Sequence, residues 1–135
     1  MKNILKALLL FSILTLSTLY AIQENNNQYN EQSQKLIMKN GYNAIIASQK
    51  PLKNGKNKLS VTILKNNAVV KNADVNIIFE LENASNVEFS EHAVEKENTY
   101  KLTANFKSKG KWKYELMFKT DYGAIYSQEG KLTIH

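Results

Sequence analysis

Four side chains beyond the first residues offer a soft or borderline donor atom: Met38, His92, Met117 and His135. Thioether sulfur suits copper, and imidazole among carboxylates suits Zn²⁺ or Cu²⁺. His92 stands in Glu88-Phe-Ser-Glu91-His92-Ala-Val-Glu95-Lys-Glu97, a carboxylate-rich stretch, and is the first candidate metal ligand. Its spacing matches no defined motif, and carboxylates in loops are usually just solvated. Met117 is the second candidate. It shares the outward parity of Lys113 and Glu115, although a surface methionine under a loop is the plainer reading. His135 shares the outward parity of Lys131 and Thr133 but falls at the far end of the last strand. Several residues at ~3.3 Å each separate it from Met117, so those two do not form one site.

Other chemistries are excluded more firmly. The chain has no cysteine, so disulfides, thiolate metal sites and cysteine nucleophiles are impossible. It has no G-x-S-x-G, no H-E-x-x-H, no phosphate loop and no glycine-rich dinucleotide turn. Two histidines leave little for acid–base work, and the chain reads as a non-enzyme. The formal charge is +6, and every basic residue is lysine. Without arginine the bidentate fork favoured for phosphates and base edges is missing, so nucleic acid is not expected as a partner. Lys2 and Lys6 fall in the first segment, leaving a charge near +4 beyond it.

Charge is uneven along the chain. Glu80 to Glu97 holds six acids and one lysine, and Lys107, Lys109, Lys111 and Lys113 follow closely. With Lys101 and Lys131 nearby, these suggest an acidic region and a basic end. Such a field can orient a protein partner or an anionic membrane surface. It can equally be a charged edge that blocks strand-to-strand association.

The elements that must position these groups are strands. Tyr100, Leu102, Ala104 and Phe106 alternate with polar residues, as do Trp112, Tyr114, Leu116 and Phe118. Period two puts one set in a core and the other in water. The pair reads as a central hairpin closed through Gly110, with Trp112 as the largest core side chain. Tyr42–Ser48 reads as a first strand ended by Pro51, and Leu59–Ile63 as a second after the Asn54-Gly55 turn. Val75–Leu81 gives a third strand and Val87–Phe89 a short fourth. Ile125–Ile134 gives the last, with a bulge expected at Glu129-Gly130. Seven short strands and no long helix predict an all-β, immunoglobulin-like sandwich over residues 41–135.

Residues 1–21 have a lysine-bearing start, an apolar run from Ala7 and a small residue at Ala21, the pattern of a secretory signal peptide. The alternative is an uncleaved anchor, although Ala7–Ile22 is shorter than the ~20 residues of a spanning helix. Either way the rest is expected to be exported: periplasmic, or membrane-anchored facing the periplasm. Residues 22–40 begin rich in Asn and Gln and read as a polar spacer, with a short helix through Glu31–Lys39.

Pro51, Gly55-Lys-Asn57-Lys-Leu59-Ser-Val61, Ala73-Asp-Val75-Asn-Ile77, Tyr100–Phe106 and Gly110-Lys-Trp112 together resemble YtkA-like and FixH-like domains. The resemblance covers about residues 41–135. It implies an exported or membrane-anchored sandwich domain of an accessory kind. Such domains are associated with assembly of a haem–copper oxidase or with copper and metal efflux. Many carry a Met- and His-containing segment after the third strand. Here that place reads Leu81-Glu-Asn-Ala-Ser-Asn86, without methionine, and His92 is the nearest donor. Copper is the one cofactor the resemblance implies, and an envelope protein is the partner. Membrane contact is expected only with an uncleaved leader. The alternative is a structural or interaction module that binds no metal.

Overall fold

The computed structural model describes residues 33–135. The expected leader at 1–21 and the first part of the spacer lie outside them. The described chain is all β, with one 3₁₀ turn at Lys39–Gly41. Its strands are β1 (Ser33–Ile37), β2 (Tyr42–Ser48), β3 (Gly55–Lys65), β4 (Ala68–Val69), β5 (Asp74–Leu81), β6 (Glu88–Lys96), β7 (Thr99–Phe106), β8 (Gly110–Lys119) and β9 (Ile125–Ile134). All pairings are antiparallel, in the order β1-β2-β3-β7-β6-β5-β8-β9, with β4 on the end of β3.

The sheet folds over on itself and nearly closes. β6 makes the bend: Glu88–Ala93 pair with β5, whereas Val94–Lys96 pair with β7. One half therefore holds β1–β4 and β7, and the other holds β5, β8, β9 and most of β6. Their inner faces meet in one core. Phe106 on β7 lies 5.2 Å from Trp112 on β8 and 5.2 Å from Phe79 on β5, edge-on in both cases. Tyr42, Phe118 and Tyr126 form a second aromatic group at the other end, with Lys65 Nζ over the Tyr42 ring. Burial, with Tyr126 alongside, raises the Tyr42 pKa.

A clasp holds the two outer strands together. Tyr114 on β8 is buried, and its hydroxyl donates to Gln34 Oε1 on β1 at 2.7 Å. Gln34 Nε2 in turn donates to the carbonyl of Lys131 on β9. Burial pushes the Tyr114 phenol well above its ordinary pKa. The Tyr114 ring lies directly over Gly130, where a Cβ would fall 2.3 Å from Cζ.

Five expectations need correction. The described residues form nine strands, not seven. Of the helix expected over Glu31–Lys39, the described part from Ser33 is β1 leading into the 3₁₀ turn, with Leu36 and Met38 buried and Ile37 exposed. Tyr100–Phe106 and Trp112–Phe118 are not a hairpin: β7 pairs with β3 and β6, while β8 pairs with β5 and β9. Residues 107–109 carry the chain across the core, so the two apolar faces look at each other. No bulge interrupts β9, which pairs residue for residue with β8 from Ile125 to Ile134. Gly130 is there for the Tyr114 ring. Finally, β1, at Ser33–Ile37, lies within the stretch expected to be a polar spacer and pairs with β2.

Candidate functional site

The pairing register builds a polar row across the outer face of the second half. His92 on β6 is opposite Asn76 on β5, Asn76 is opposite Met117 on β8, and Met117 is opposite Ser127 on β9. The inward neighbours of this row, Val75, Ile77, Ala93, Leu116 and Phe118, are buried and fix its position. The two candidates, His92 and Met117, therefore flank one residue. Two strand spacings put their backbones about 10 Å apart.

Asp74, two residues before Asn76 on the same face of β5, completes the group. His92 Nδ1 lies 3.2 Å from Asp74 Oδ1 and 3.2 Å from Asn76 Oδ1. Asn76 Nδ2 donates to Asp74 Oδ1, also at 3.2 Å. Both partners of Nδ1 are acceptors, so the proton of a neutral His92 sits on Nδ1. That leaves the Nε2 lone pair free, and among the described residues no group takes it. A ring held at Nδ1 by a carboxylate is the usual arrangement of an imidazole that ligates through Nε2. The side chains of His92 and Asp74 are 60% and 58% exposed, so the arrangement is open to water.

The carboxylates near His92 in sequence do not join it. Glu91 has the opposite parity, beside Ile77, and the Glu95 carboxylate accepts the backbone N–H of Asn72. Among the described residues no three His, Cys, Asp or Glu side chains converge in a way that could hold a metal ion. The acidic partner is Asp74, which lies eighteen positions upstream and is legible only through the β5–β6 register. Met38 is a core residue. His135 is at the opposite end of β9, its backbone paired with Leu52 and Asn54.

The register brings two members of the acidic stretch beside lysines of the basic end. Glu80 pairs with Lys113 across β5 and β8. Glu82 Oε1 lies 2.9 Å from Lys131 Nζ. The Lys131 contact, with Lys113 and Lys111 behind it, lowers the Glu82 pKa against the opposing effect of burial. Like charges are also opposite one another: Glu80 and Glu88 across β5 and β6, and Lys113 and Lys131, and Glu115 and Glu129, across β8 and β9.

The sequence features that carry the family resemblance have structural roles. Gly55 has φ +101°, which favours glycine. The buried Asn57 accepts from Lys53 N–H at 3.0 Å and donates to the carbonyls of Lys53 and Gly55 at 2.7 and 2.8 Å. This side chain replaces the strand partners that the Lys53–Gly55 loop lacks. The Tyr100 hydroxyl donates to Val70 O and accepts from Ala73 N–H, tying down the chain that enters β5. Burial raises its pKa.

A family model described as YtkA-like matches residues 38–117, more than half of the chain. The match contains Asp74, Asn76, His92 and Met117. Comparison with curated proteins and with solved structures gives no match.

Proposed function

We propose, for a chain that belongs to the YtkA-like family, an exported, non-enzymatic accessory role in supplying copper to, or helping to assemble, an envelope complex. Export rests on the leader pattern at residues 1–21. The body acts as an immunoglobulin-like sandwich, a stiff carrier that presents its outer face to an envelope protein. The observation that carries the reading is His92, held at Nδ1 by Asp74 and Asn76 and sharing its row with Met117. The donor set is one imidazole nitrogen and one thioether sulfur. Sulfur ligation favours Cu⁺, whereas a closed Zn²⁺ site asks for four ligands from Cys, His or carboxylate. Copper here is cargo. An exposed imidazole in one row with a half-buried thioether suits an ion that is handed on rather than stored.

Titration of the protein with Cu⁺ against a chromophoric competitor tests this reading. The expected dissociation constant is below ~10 µM, an interaction of about 7 kcal/mol. His92→Ala and Met117→Ala each weaken it at least about tenfold. Asp74→Ala, which only frees the ring, weakens it by roughly tenfold. Binding no tighter than that limit, or binding untouched by His92→Ala, removes the copper role. A second reading, a docking module without metal, is supported by Tyr122 and Ile125, which are 93% and 69% exposed at the β8–β9 turn. Partner capture by metal-free protein that is lost in Tyr122→Ala/Ile125→Ala favours it.

A further inference from the structure

The charge of the described chain is divided between the two halves of the sheet. From Ser33 to Ala73 there is no Asp or Glu, and β7 has none either. The outer face of the first half carries Lys35, Lys56, Lys58 and Lys101, all exposed. The register fixes their orientation: Lys35 is opposite Ile45, Lys56 opposite Asn105, Lys58 opposite Thr103 and Lys101 opposite Ser60, all outward positions. Lys65 is drawn away, to the Tyr42 ring and the Asn40 carbonyl.

The same face carries exposed aliphatic side chains. Ile37 is opposite Asn43, Asn43 opposite Leu64 and Leu64 opposite Val69, one row across four strands. Val94 is opposite Lys101. Ile37 is 75% exposed, Val94 64% and Val69 41%, three of the five large apolar side chains left in water among the described residues.

We propose that this face lies on a bilayer surface bearing anionic phospholipid headgroups. Acid-free lysines meet the headgroup charge, while Ile37, Val69 and Val94 reach into the interface. A protein partner is the weaker fit. Protein interfaces concentrate their binding energy in Trp, Tyr and Arg, and no outward position of these strands holds one. The inference is independent of the copper reading, because His92 and Met117 occupy the outer face of the other half.

Co-sedimentation with phosphatidylcholine vesicles, with and without phosphatidylglycerol, tests it on the chain from Gln32 to His135, which forms one compact unit. Binding is expected only with phosphatidylglycerol and falls with added salt. Lys35→Glu/Lys56→Glu/Lys58→Glu/Lys101→Glu should lose at least about a hundredfold, since each lysine contributes on the order of fivefold. Ile37→Ser/Val69→Ser, with charge unchanged, should lose about tenfold. Lys107→Glu/Lys109→Glu/Lys111→Glu/Lys113→Glu makes the same charge change elsewhere and should keep most of the binding. Circular dichroism confirms that each variant is folded. An equal loss in the control set, or no dependence on phosphatidylglycerol, overturns the proposal. Binding indifferent to Ile37→Ser/Val69→Ser, with polyglutamate competing as well as lipid, assigns the face to an acidic protein and overturns it too.

Discussion

Gly130→Ala separates the observed packing from ordinary strand behaviour. Gly130 does not have the left-handed φ that favours glycine, and it lies inside a strand. In most strands alanine there would add roughly 0.5–1 kcal/mol of stability by removing backbone freedom. Here the added Cβ would meet Tyr114 Cζ and the hydroxyl oxygen at 2.3 Å and Cε1 at 2.6 Å. The ring cannot step aside freely, because it is buried and its hydroxyl holds Gln34 on β1. Overpacking of a tight core costs about 1–3 kcal/mol, and losing the hydroxyl bond about 1 more. The expected loss is therefore about 2–4 kcal/mol. In urea that lowers the midpoint by roughly 1–2 M, taking a slope near ~2 kcal/mol/M. In a thermal scan each kcal/mol corresponds to about 4–8 °C for a body of this size. A variant as stable as the wild type, or more so, would show that β9 does not run flat beneath Tyr114 and that the clasp is drawn wrongly.

Two further outcomes follow from the core and the charge pairs. Trp112→Ala should cost about 3–5 kcal/mol, because the indole is fully buried against Phe89 and Phe106 and its Nε1 donates to Ser108 O; a loss under ~1 kcal/mol in urea unfolding contradicts the inward assignment. Glu82 has its folded pKa lowered from an ordinary 4.5, mainly by the Lys131 contact. Its contribution is therefore present above the ordinary value and is lost as pH falls through the folded one. Glu82→Gln should lower the urea midpoint at neutral pH and match the wild type in acid, and an unchanged gap across that window excludes the ion pair as its source.

Alternation along the chain tells which way a side chain points, not what lies beside it. Tyr100–Phe106 and Trp112–Phe118 each have a clean inward set, and both sets are buried. The same pattern serves two strands side by side or two strands facing across a core. A short connection favours the first arrangement. The second prevails because both edges of β8 are already taken, by β5 and β9. Ser33–Ile37 escapes the alternation test for another reason. Gln34 faces inward among polar neighbours, and its role depends on Tyr114, eighty positions away. Gly130 looks like a bulge because glycine in a strand marks either a bulge or a close approach, and only the packing decides which.

The same limit applies to function. His92 and Met117 are each recognisable as outward donors, but their placement on either side of Asn76 depends on the order β6-β5-β8, which no local pattern encodes. Asp74 carries no mark of its own until the register places it beside the imidazole. The acid-free run from Ser33 to Ala73 is different: it stands in plain sight, although even its closest lysines, Lys50, Lys53, Lys56 and Lys58, are grouped less tightly than Lys107, Lys109, Lys111 and Lys113. Attention to which charge is missing would have found that face.

Gly55, Asn57 and Tyr100, which carry much of the family resemblance, turn a loop or tie down a strand entry. Their side chains or backbone geometry serve the fold and leave little for a partner to read. Membership in the family is for that reason chiefly a statement about architecture. What distinguishes one member from another must lie at outward positions, where a substitution changes the surface without disturbing the core. His92 and Met117 on one face, and Lys35, Lys56, Lys58 and Lys101 on the other, are such positions. The core can stay constant while either face changes, so copper binding and bilayer contact stand or fall separately.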